Sequence, residues 1–399
     1  MRPTVRELTA DELTDAWQLG RLAFGSDPQP PPHATAPAPG MTRYGAFDDT
    51  DRLIGKAVDL HHDQWWNGRR VPACGVGGVA VAPEARGRGV ARAMLTAVLR
   101  GAHERGAAVS ALYPTVTAPY RSCGWEISGA LRVVDLPTAA LTRNPPAPHL
   151  SVRAGDPADL PAVTALYAHV AQHRNGMLTR QGALFDHFRN RLAADGALPF
   201  DGLTLIEQDG QLVGYASFDR GRGYGTDAVL TIHDALAITP DAARELVGVL
   251  SSWASVTPTL RLRLLHGDAV TAHLPLEATR DHHRDIWMHR PVDITRGVTT
   301  RGWPTHVHGT VDFTLHDELA EWNTGTWRLE VADGGAQLAR VTTEAELHLT
   351  VRGFALLYTG AATARSVADA GLLHCPPGQD PQPLDLLAAG GPAQLHDYF

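Results

Sequence analysis

The spacing of apolar and polar positions changes along the chain in a way that predicts both strands and helices. Residues 4–19 predict a short strand followed by an amphipathic helix, and residues 78–95 predict a strand, a glycine-rich turn and a second helix. In residues 307–341, apolar and polar positions alternate around turn signals, which is typical of a curved antiparallel sheet. Helical segments follow near residues 363–373. The whole pattern predicts an α+β fold.

The first of these patterns occurs twice. Residues 4–19 align without gaps with residues 151–166, and each copy predicts a strand, a capping residue and a helix. The strand at 52–60 has a counterpart at 211–219. Two matched elements in the same order indicate a duplicated domain. The coinciding positions are Val5/Val152, Arg6/Arg153, Leu13/Leu160 and Leu19/Leu166, with Glu12 matched by Asp159.

The second copy lacks the glycine-rich turn of the first. Its strand at 228–238 leads into a helical pattern with no Arg-Gly-x-Gly turn, so the backbone cannot approach a ligand as closely as glycines permit. We therefore expect the second copy to be structural or to form a wall of the acceptor site. A proline-rich joint at 143–149 separates the copies, and the proline-rich segment 26–40 is either a linker or a lid. The predicted domains are residues 1–145, 146–285 and 286–399.

Composition narrows the class of protein. The chain of 399 residues carries a formal net charge of −8, which disfavours nucleic acid as a partner and mildly favours cationic ones. No run of about 18 apolar residues predicts a membrane span. Three widely spaced cysteines favour a reducing cytoplasm over a disulfide framework. Neighbouring histidines such as His61 and His62 point to opposite faces of a strand, so no metal site is expected.

Three phosphate-binding motifs compete for the glycine-rich turn. The lysine and Ser/Thr of a Walker loop are absent, and the dinucleotide fingerprint needs a glycine where Arg92 stands. The remaining motif places an arginine before Gly-x-Gly/Ala, and its backbone N–H groups hold a pyrophosphate at the helix start. From the turn alone, a plain strand-to-helix connection with surface arginines stays open.

The residues around the turn favour the pyrophosphate site. Residues 79–91 resemble motif A of the GCN5-related N-acetyltransferases, V-x-V-x-P-x-x-R-x-x-G-x-G/A. About thirty-five residues further on, "APYRSCGWE" resembles the Y-x-x-x-G-F element of that family, with Tyr120, Gly124 and Trp125. The resemblance implies that the strand binds the pantetheine arm of acetyl-CoA and that the turn binds its pyrophosphate.

Acetyl transfer to an amine requires two proton movements, since the ammonium must lose a proton and the departing thiolate should gain one. Tyr120 is the candidate acid, with a packed aromatic residue as the alternative. No Glu or His near the motif stands out as the base, but the sequence ends on Tyr398 and Phe399. Burying them would fix a terminal carboxylate in a partly apolar site and raise its pKa. That carboxylate is a candidate base, against a plain docked tail.

Over residues 3–399 the sequence resembles the enhanced intracellular survival (Eis) family of actinobacterial acetyltransferases. The resemblance rests on the duplication, the turn, "DIWMHRPVD" at 285–293, the W-x-x-G-T-W-R-L-E-V-A-D-G pattern at 322–334 and the final phenylalanine. It implies tandem GCN5-related N-acetyltransferase folds, the second degenerate, followed by a sterol-carrier-protein-like α/β domain. It also implies broad amine specificity and a homohexamer.

The resemblance assigns roles position by position. Tyr120 is the implied acid and Phe399 the implied base, while Asp293 and Asp397 fall in the acceptor site. The implied coenzyme contacts are Val79, Ala80, Val81, Arg86, Gly87, Arg88, Gly89, Val90, Ala91 and Arg92. Two positions depart from the family: residues 121–124 read Arg-Ser-Cys-Gly where Gly-Arg-Phe-Gly is common, and Tyr398 replaces an acidic residue.

We therefore predict a cytoplasmic N-acetyltransferase that uses acetyl-CoA as co-substrate and no metal. The predicted acceptors are polycationic amines such as aminoglycosides or polyamines, acetylated directly in a ternary complex. One alternative is a lysine acetyltransferase of proteins or peptides, which needs a wide, open cleft. The other is a non-catalytic module that binds coenzyme A or lipid, which needs an apolar tunnel in residues 290–390.

Overall fold

Seventeen strands form two sheets in the part of the chain that the computed structural model describes, residues 3–31, 34–143, 145, 147–187 and 197–399. The strands of the first sheet are β1 Thr4–Glu7, β2 Met41–Phe47, β3 Leu53–Trp66, β4 Arg69–Val81, β5 Val109–Leu112, β6 Glu126–Pro137, β7 Leu150–Ala154, β8 Gly202–Gln208, β9 Gln211–Arg220, β10 Val229–Ala237, β11 Thr259–Leu264 and β12 Arg280–Pro291. The second sheet contains β13 Gly309–His316, β14 Gly325–Ala332, β15 Gly335–Arg340, β16 His348–Thr350 and β17 Leu373–His374. The helices are α1 Leu13–Phe24, α2 Val90–Glu104, α3 Ala118–Arg121, α4 Leu160–Ala171, α5 Pro240–Ser251, α6 Ile294–Thr300, α7 Val351–Tyr358 and α8 Ala364–Asp369.

The two copies share the first sheet. Its order is β1-β2-β3-β4-β5-β12-β6-β11-β10-β9-β8-β7, so the strands of the first copy lie at one end and those of the second copy at the other. The copies meet where residues 132–137 of β6 pair antiparallel with residues 259–264 of β11. Continuous backbone pairing therefore joins the copies into one layer.

The predicted duplication is confirmed at the start of each copy. Strands β1 and β7 pair antiparallel with β2 and β8, respectively. Arg6 binds Glu12 at 2.6 Å, and the matched Arg153 binds Asp159 at 2.7 Å. The same ion pair fixes the strand against the first helical turn in both copies, so the matched sequence positions have matched structural roles.

Strand β12 lies between β5 and β6 and connects the third region to the first copy. Its residues 288–291 pair with 109–112, and its residues 280–289 pair with β6. The predicted domain boundary between residues 285 and 286 falls inside this strand. The reason is that backbone pairing to β6 continues on both sides of that boundary.

The predicted antiparallel sheet of the third region is confirmed for β13, β14 and β15. Asp333 and Gly334 join β14 to β15 with φ angles of +51° and +75°, as a two-residue hairpin requires. Strand β16 instead pairs parallel with β13. The predicted helical segment near 363–373 is α8.

Apolar residues of the third region and of the first copy form a continuous core that includes Trp66, Trp287 and Phe313. This shared core holds the third region against β3 and β12. Among the described residues, no helix has the length and apolar character that crossing a membrane requires.

Candidate active site

Strands β4 and β5 separate and leave one edge of β4 open. They pair in parallel only where Ala73–Gly75 meets Val109–Ala111. Strand β4 then continues to Val81 and pairs with β3 alone on its other side. Backbone N–H and C=O groups on the open edge require partners. The separation therefore creates a cleft with a hydrogen-bonding wall.

A β-bulge at Gly78 redirects this open edge. Lys56 of β3 pairs with Ala80 and Val58 pairs with Gly77, so β4 contains one extra residue between these pairs. Gly78 has a φ of +55°, which a residue with a side chain rarely adopts. The sequence analysis missed this bulge, although the Gly77-Gly78 pair inside a strand pattern is its usual signal.

The predicted turn lies at the end of the open edge. Gly87 and Gly89 have φ angles of +73° and +78°, and Gly89 is the N-cap of α2. The first N–H groups of a helix lack intrahelical partners, so the start of α2 presents donors to the solvent side of the turn. Arg86 and Arg88 are exposed beside it. Oriented donors with adjacent positive charge suit a pyrophosphate.

The guanidinium of Arg92 is already engaged. It donates to the carbonyl of Ser122 at 2.8 Å and to Glu318 at 2.9 Å. The second contact ties α2 to the third region. The Arg92 side chain thus has partners other than the coenzyme that the sequence predicts for it.

A cleft of about 430 Å³ connects these elements, and we call it the β4–β5 cleft. It is lined by residues from α1, the open edge, α2 and the segment after β5. These are Ala23, Phe24, Val79, Ala80, Val81, Arg86, Ala91, Leu95, Thr115, Val116, Pro119 and Tyr120. The structure therefore brings Tyr120 together with half of the predicted coenzyme contacts, namely Val79, Ala80, Val81, Arg86 and Ala91.

Tyr120 is suited to donate a proton. It lies on the short helix α3, and its ring contacts Trp125 edge-on with centroids 6.4 Å apart. Burial raises the pKa of Tyr120 to about 12, so the hydroxyl is protonated at neutral pH. Within the described ranges, this hydroxyl donates to no other residue. It is available to a ligand in the β4–β5 cleft.

The final residues pack against the first copy at the end of β5. The ring of Phe399 lies 4.5 Å from that of His62 and 5.6 Å from that of Tyr113, centroid to centroid. Burial lowers the pKa of His62 to about 4, so Phe399 packs on a neutral ring at pH 7. Tyr113 also contacts the exposed ring of Tyr398 at a tilt, with centroids 4.6 Å apart, and donates to the carbonyl of Asp397 at 2.9 Å.

Tyr113 also belongs to the segment that leads to the predicted acid. Residues 115, 116, 119 and 120 of this segment line the β4–β5 cleft. Residues 113–120 therefore form one continuous segment that contacts the chain end through Tyr113 and ends at Tyr120.

The second copy anchors the same tail. The Asp397 carboxylate accepts from Arg180 Nε at 2.8 Å and from the Tyr167 hydroxyl at 3.1 Å. Arg180 also binds the buried Asp234, and His396 Nε2 lies 3.3 Å from the same carboxylate. Burial alone would raise the pKa of Asp234, but Arg180 and His396 outweigh burial and hold it well below its usual value. Asp397 is thus a structural anchor in addition to its predicted place in the acceptor site.

Asp293 lies away from this arrangement. Its carboxylate caps α6 by accepting from the Arg296 backbone N–H at 2.9 Å, and it lies 3.5 Å from His103. Its own N–H donates to Ala108, directly before β5, whereas Tyr113 follows β5. Four strand residues separate these ends by about 13 Å. The structure does not bring Asp293 together with the two predicted catalytic residues.

A second cavity, of about 460 Å³, lies beside the tail, and we call it the tail-side cavity. Its lining comes from β6, β10, β11, β12 and Tyr398. The charged or titratable side chains in it are His233, Arg261, Arg263, His283 and Asp285. The sequence analysis assigned no site here, although Arg261 and Arg263 alternate in a strand pattern and so share one face.

In the second copy, the N–H groups at the start of α5 are partly satisfied by the protein itself, unlike those at the start of α2 in the first copy. The side chain of Thr239 accepts from the N–H of Ala242, and Pro240 removes another donor. This geometry agrees with the predicted loss of a phosphate site in the second copy.

Comparisons with known families support this division of the chain. Residues 4–128 and residues 176–292 match two acetyltransferase (GNAT) domain families. Residues 294–394 match a sterol carrier protein domain. Each match falls on one of the three regions described above.

Curated relatives are named as N-acetyltransferases. An uncharacterised N-acetyltransferase of Streptomyces avermitilis is 29% identical over 317 residues, which is 76% of this chain and 76% of the relative. One from Streptomyces coelicolor is 27% identical over 317 residues and matches over 76% and 75% of the two chains.

Solved structures share the complete fold. A GCN5-related N-acetyltransferase from Anabaena variabilis superposes with a TM-score of 0.85 at 23% identity, and one from Kribbella flavida with 0.83 at 25% identity, each over 100% of both chains. Eis1 from Mycobacterium abscessus superposes over 100% of both chains with a TM-score of 0.75 at 20% identity, which shows the fold alone. Membership of the Eis family stays a prediction. The chain itself is an N-acetyltransferase of the GCN5-related type, with two such domains in tandem and a C-terminal sterol carrier protein domain.

Proposed function

We propose that the protein transfers the acetyl group of acetyl-CoA to the primary amine of a small molecule, directly and within a ternary complex. The observation that carries this proposal is the β4–β5 cleft. An open strand edge, the start of α2 and the hydroxyl of Tyr120 all border that one cavity.

Acetyl-CoA would bind along the open edge of β4. The backbone groups of residues 79–81 have no strand partner on the β5 side and suit the amides of the pantetheine arm. The N–H groups at the start of α2 suit the pyrophosphate, and the exposed Arg86 and Arg88 add positive charge. The thioester would then lie between β4 and residues 113–120.

The chemistry needs one bond to form and one to break. The amine nitrogen attacks the thioester carbonyl carbon, the C–N bond forms and the C–S bond breaks. The departing thiolate takes a proton from the Tyr120 hydroxyl. Because the pKa of Tyr120 is raised to about 12, the hydroxyl holds its proton until the thiolate develops. The acylated nitrogen then loses its second proton through solvent to the phenolate, which gives the neutral amide and restores the Tyr120 hydroxyl.

The carboxylate of Phe399 takes the proton of the incoming ammonium. Support comes from the packing of Phe399 on His62 and Tyr113, at the start of the segment that ends at Tyr120. The anchoring of Asp397 by both copies fixes the chain two residues earlier. A base held in a defined place is more effective than one on a mobile end. After transfer the proton passes to solvent.

The acceptor class is a further part of the proposal. A net charge of −8 and the resemblance to the Eis family favour polycations such as aminoglycosides and polyamines. Lysine side chains of peptides are the alternative acceptors. A homohexameric assembly and a location in the cytoplasm are likewise proposals, and they rest on the resemblance and on cysteine usage.

The non-catalytic alternative finds less support. An apolar tunnel in the carrier-like region is disfavoured because large side chains fill its interior. Arg301 is 1% exposed there and lies over the rings of Trp66, Trp303 and Tyr358. Its guanidinium donates to the carbonyls of Tyr358, Leu387 and Ala389.

The proposal is tested by thiol release from acetyl-CoA in the presence of aminoglycosides, diamines, amino acids and lysine peptides. Acceptor-dependent release, with the acetylated amine found by mass spectrometry, is the expected result. Acetyl-CoA binding without release for any acceptor would support the binding-module alternative instead. Release with lysine peptides alone would move the acceptor to proteins.

A further inference from the structure

The floor of the tail-side cavity is apolar, and its charged residues stand on two sides of that floor. Leu131 and Val133 of β6 form the floor. In the sheet, β6 lies between β11 and β12. Arg263 of β11 pairs with Val133, and on the opposite side Asp285 of β12 pairs with Leu131. A guanidinium and a carboxylate thus border the floor from two strands that are about 10 Å apart, twice the spacing of neighbouring strands.

On the positive side of the cavity, one of the two arginines has no carboxylate partner among the described residues. Arg261 is neutralised, since it binds both oxygens of Asp135 at 2.8 and 3.0 Å. Arg263 makes no ion pair within the described ranges and donates only to the carbonyl of His396, at 3.3 Å. Its side chain is half-buried, which strengthens its attraction for an anion relative to a fully solvated arginine.

On the other side of the cavity, the charged group is the carboxylate of Asp285. Asp285 has a histidine as its partner, with His283 Nε2 3.0 Å from its carboxylate. Within the described residues no arginine binds Asp285, so its carboxylate can attract an ammonium. Tyr398 borders the same cavity, directly before the proposed base Phe399. An amine held by Asp285 therefore lies in a cavity that the chain end borders.

We propose that the acceptor amine also carries an anionic group, a carboxylate or a phosphate, at the far end of an apolar chain. Arg263 binds the anion, the floor formed by Leu131 and Val133 contacts the chain, and Asp285 guides the ammonium towards Phe399. This inference rests on the proposed function, but it favours an amine that carries an anion over the polycations that the net charge and the resemblance favour. A polycation would place a second ammonium against Arg263, where like charges repel.

Three acceptors that share a five-carbon chain test the inference: 6-aminohexanoate, pentylamine and cadaverine. They end in a carboxylate, a methyl group and a second ammonium, respectively. The expected kcat/KM is highest for 6-aminohexanoate, by about tenfold or more over pentylamine, and lowest for cadaverine. Most of the difference should lie in KM, since the anion contact does not change during the transfer.

Arg263→Gln should remove the preference, so that the ratio of kcat/KM for 6-aminohexanoate to kcat/KM for pentylamine falls about tenfold. Arg263→Lys should restore much of the preference, because it keeps the charge. Arg132→Gln is the matched control. Arg132 lies between Leu131 and Val133, so its side chain points to the opposite face, where it binds Asp281 at 2.7 Å. This control should leave the order of the three acceptors unchanged.

The outcomes separate this inference from the proposed function. If cadaverine is the best acceptor, or if Arg263→Gln and Arg132→Gln change the preference equally, the inference is wrong and the N-acetyltransferase proposal stands. If no amine is acetylated although acetyl-CoA binds, the proposed function itself is wrong. Inorganic phosphate in place of the buffer anion distinguishes carboxylate from phosphate acceptors. It should inhibit competitively against the amine only if phosphate fits beside Arg263.

Discussion

Arg180 Nε lies 2.8 Å from Asp397 Oδ1, and this contact ties the last residues of the chain to the second acetyltransferase domain. Arg180 is 22% exposed and Asp397 16%, so water weakens the pair only in part. The same arginine binds Asp234 of β10. The second domain, which lacks the glycine turn, thus has a structural role, because it holds the tail against the first domain.

Replacing Asp397 with Asn should release the tail. Arg180 would lose one of its two ionic partners, and the Tyr167 hydroxyl would face an amide in place of a carboxylate, at a cost of about 1–3 kcal/mol in the free energy of unfolding. We expect kcat to fall while KM for acetyl-CoA stays unchanged. Carboxypeptidase A should also remove Phe399 and Tyr398 faster than from the unmodified chain.

The control for this variant is Asp369→Asn, which removes an exposed charge that faces Arg365 on the surface. It should match the unmodified chain in turnover and in protease resistance. An Asp397→Asn enzyme with full turnover and an equally resistant tail would contradict the anchoring role.

Tyr120→Phe should lower kcat by about 10²–10⁴-fold, which is the usual contribution of a general acid. The phenyl ring keeps its contact with Trp125, so KM for acetyl-CoA and the melting temperature should change little. The measurement is steady-state thiol release, combined with calorimetric titration of coenzyme A. A kcat within a few-fold of the unmodified value would assign thiolate protonation to another group or to water.

The pH dependence of kcat follows from the raised pKa of Tyr120. An acid whose pKa is raised from 10 to about 12 remains protonated throughout the alkaline range in which the enzyme is assayed. The profile should therefore show no loss of rate from this group below about pH 11. A decline centred near pH 10 that disappears in Tyr120→Phe would mean that the tyrosine is less buried in the working enzyme.

Gly89→Ala should weaken coenzyme binding. A side chain at a φ of +78° costs about 1–2 kcal/mol, and relief of that strain turns the N–H groups of α2 away from the pyrophosphate. We expect KM for acetyl-CoA to rise about tenfold.

Gly106→Ala is the matched control for Gly89→Ala. Gly106 follows the other end of α2 with a φ of +96°, and an added Cβ would likewise meet no atom within 4 Å. It should reduce stability to a similar extent and leave KM unchanged. Equal effects of the two variants on KM would exclude a specific role for the turn.

Local signals in the sequence predicted the elements that depend on local physics. The Arg-Gly-x-Gly turn requires two left-handed residues, and only glycines adopt that conformation at little cost, so the letters determine the geometry. The duplication was visible because Arg6 and Arg153 must each reach an acid at the following helix start. The hairpin at Asp333 and Gly334 likewise needs two residues with positive φ, and an Asp-Gly pair adopts that conformation readily.

The remaining features depend on contacts between distant parts of the chain. Strand β12 pairs with strands that lie about 150–180 positions earlier in the sequence. No local pattern therefore predicts that it joins the first domain. Arg180 gives no local signal, since its two carboxylates are 54 and 217 positions away. The charge pattern of the tail-side cavity exists only once β11 and β12 flank β6. The spacing of residues within one segment does not predict contacts between distant segments.

The most direct test of the account compares the chain that ends in the Phe399 carboxylate with the same chain carrying a C-terminal carboxamide, made by ligating a synthetic tail. The carboxamide keeps the packing on His62 and Tyr113 but cannot accept the ammonium proton. We predict an unchanged affinity for acetyl-CoA and a loss of acceptor-dependent thiol release of about 10²-fold or more at pH 7. Equal turnover by the two proteins would contradict the terminal base, and with it the proposed reason for anchoring the tail.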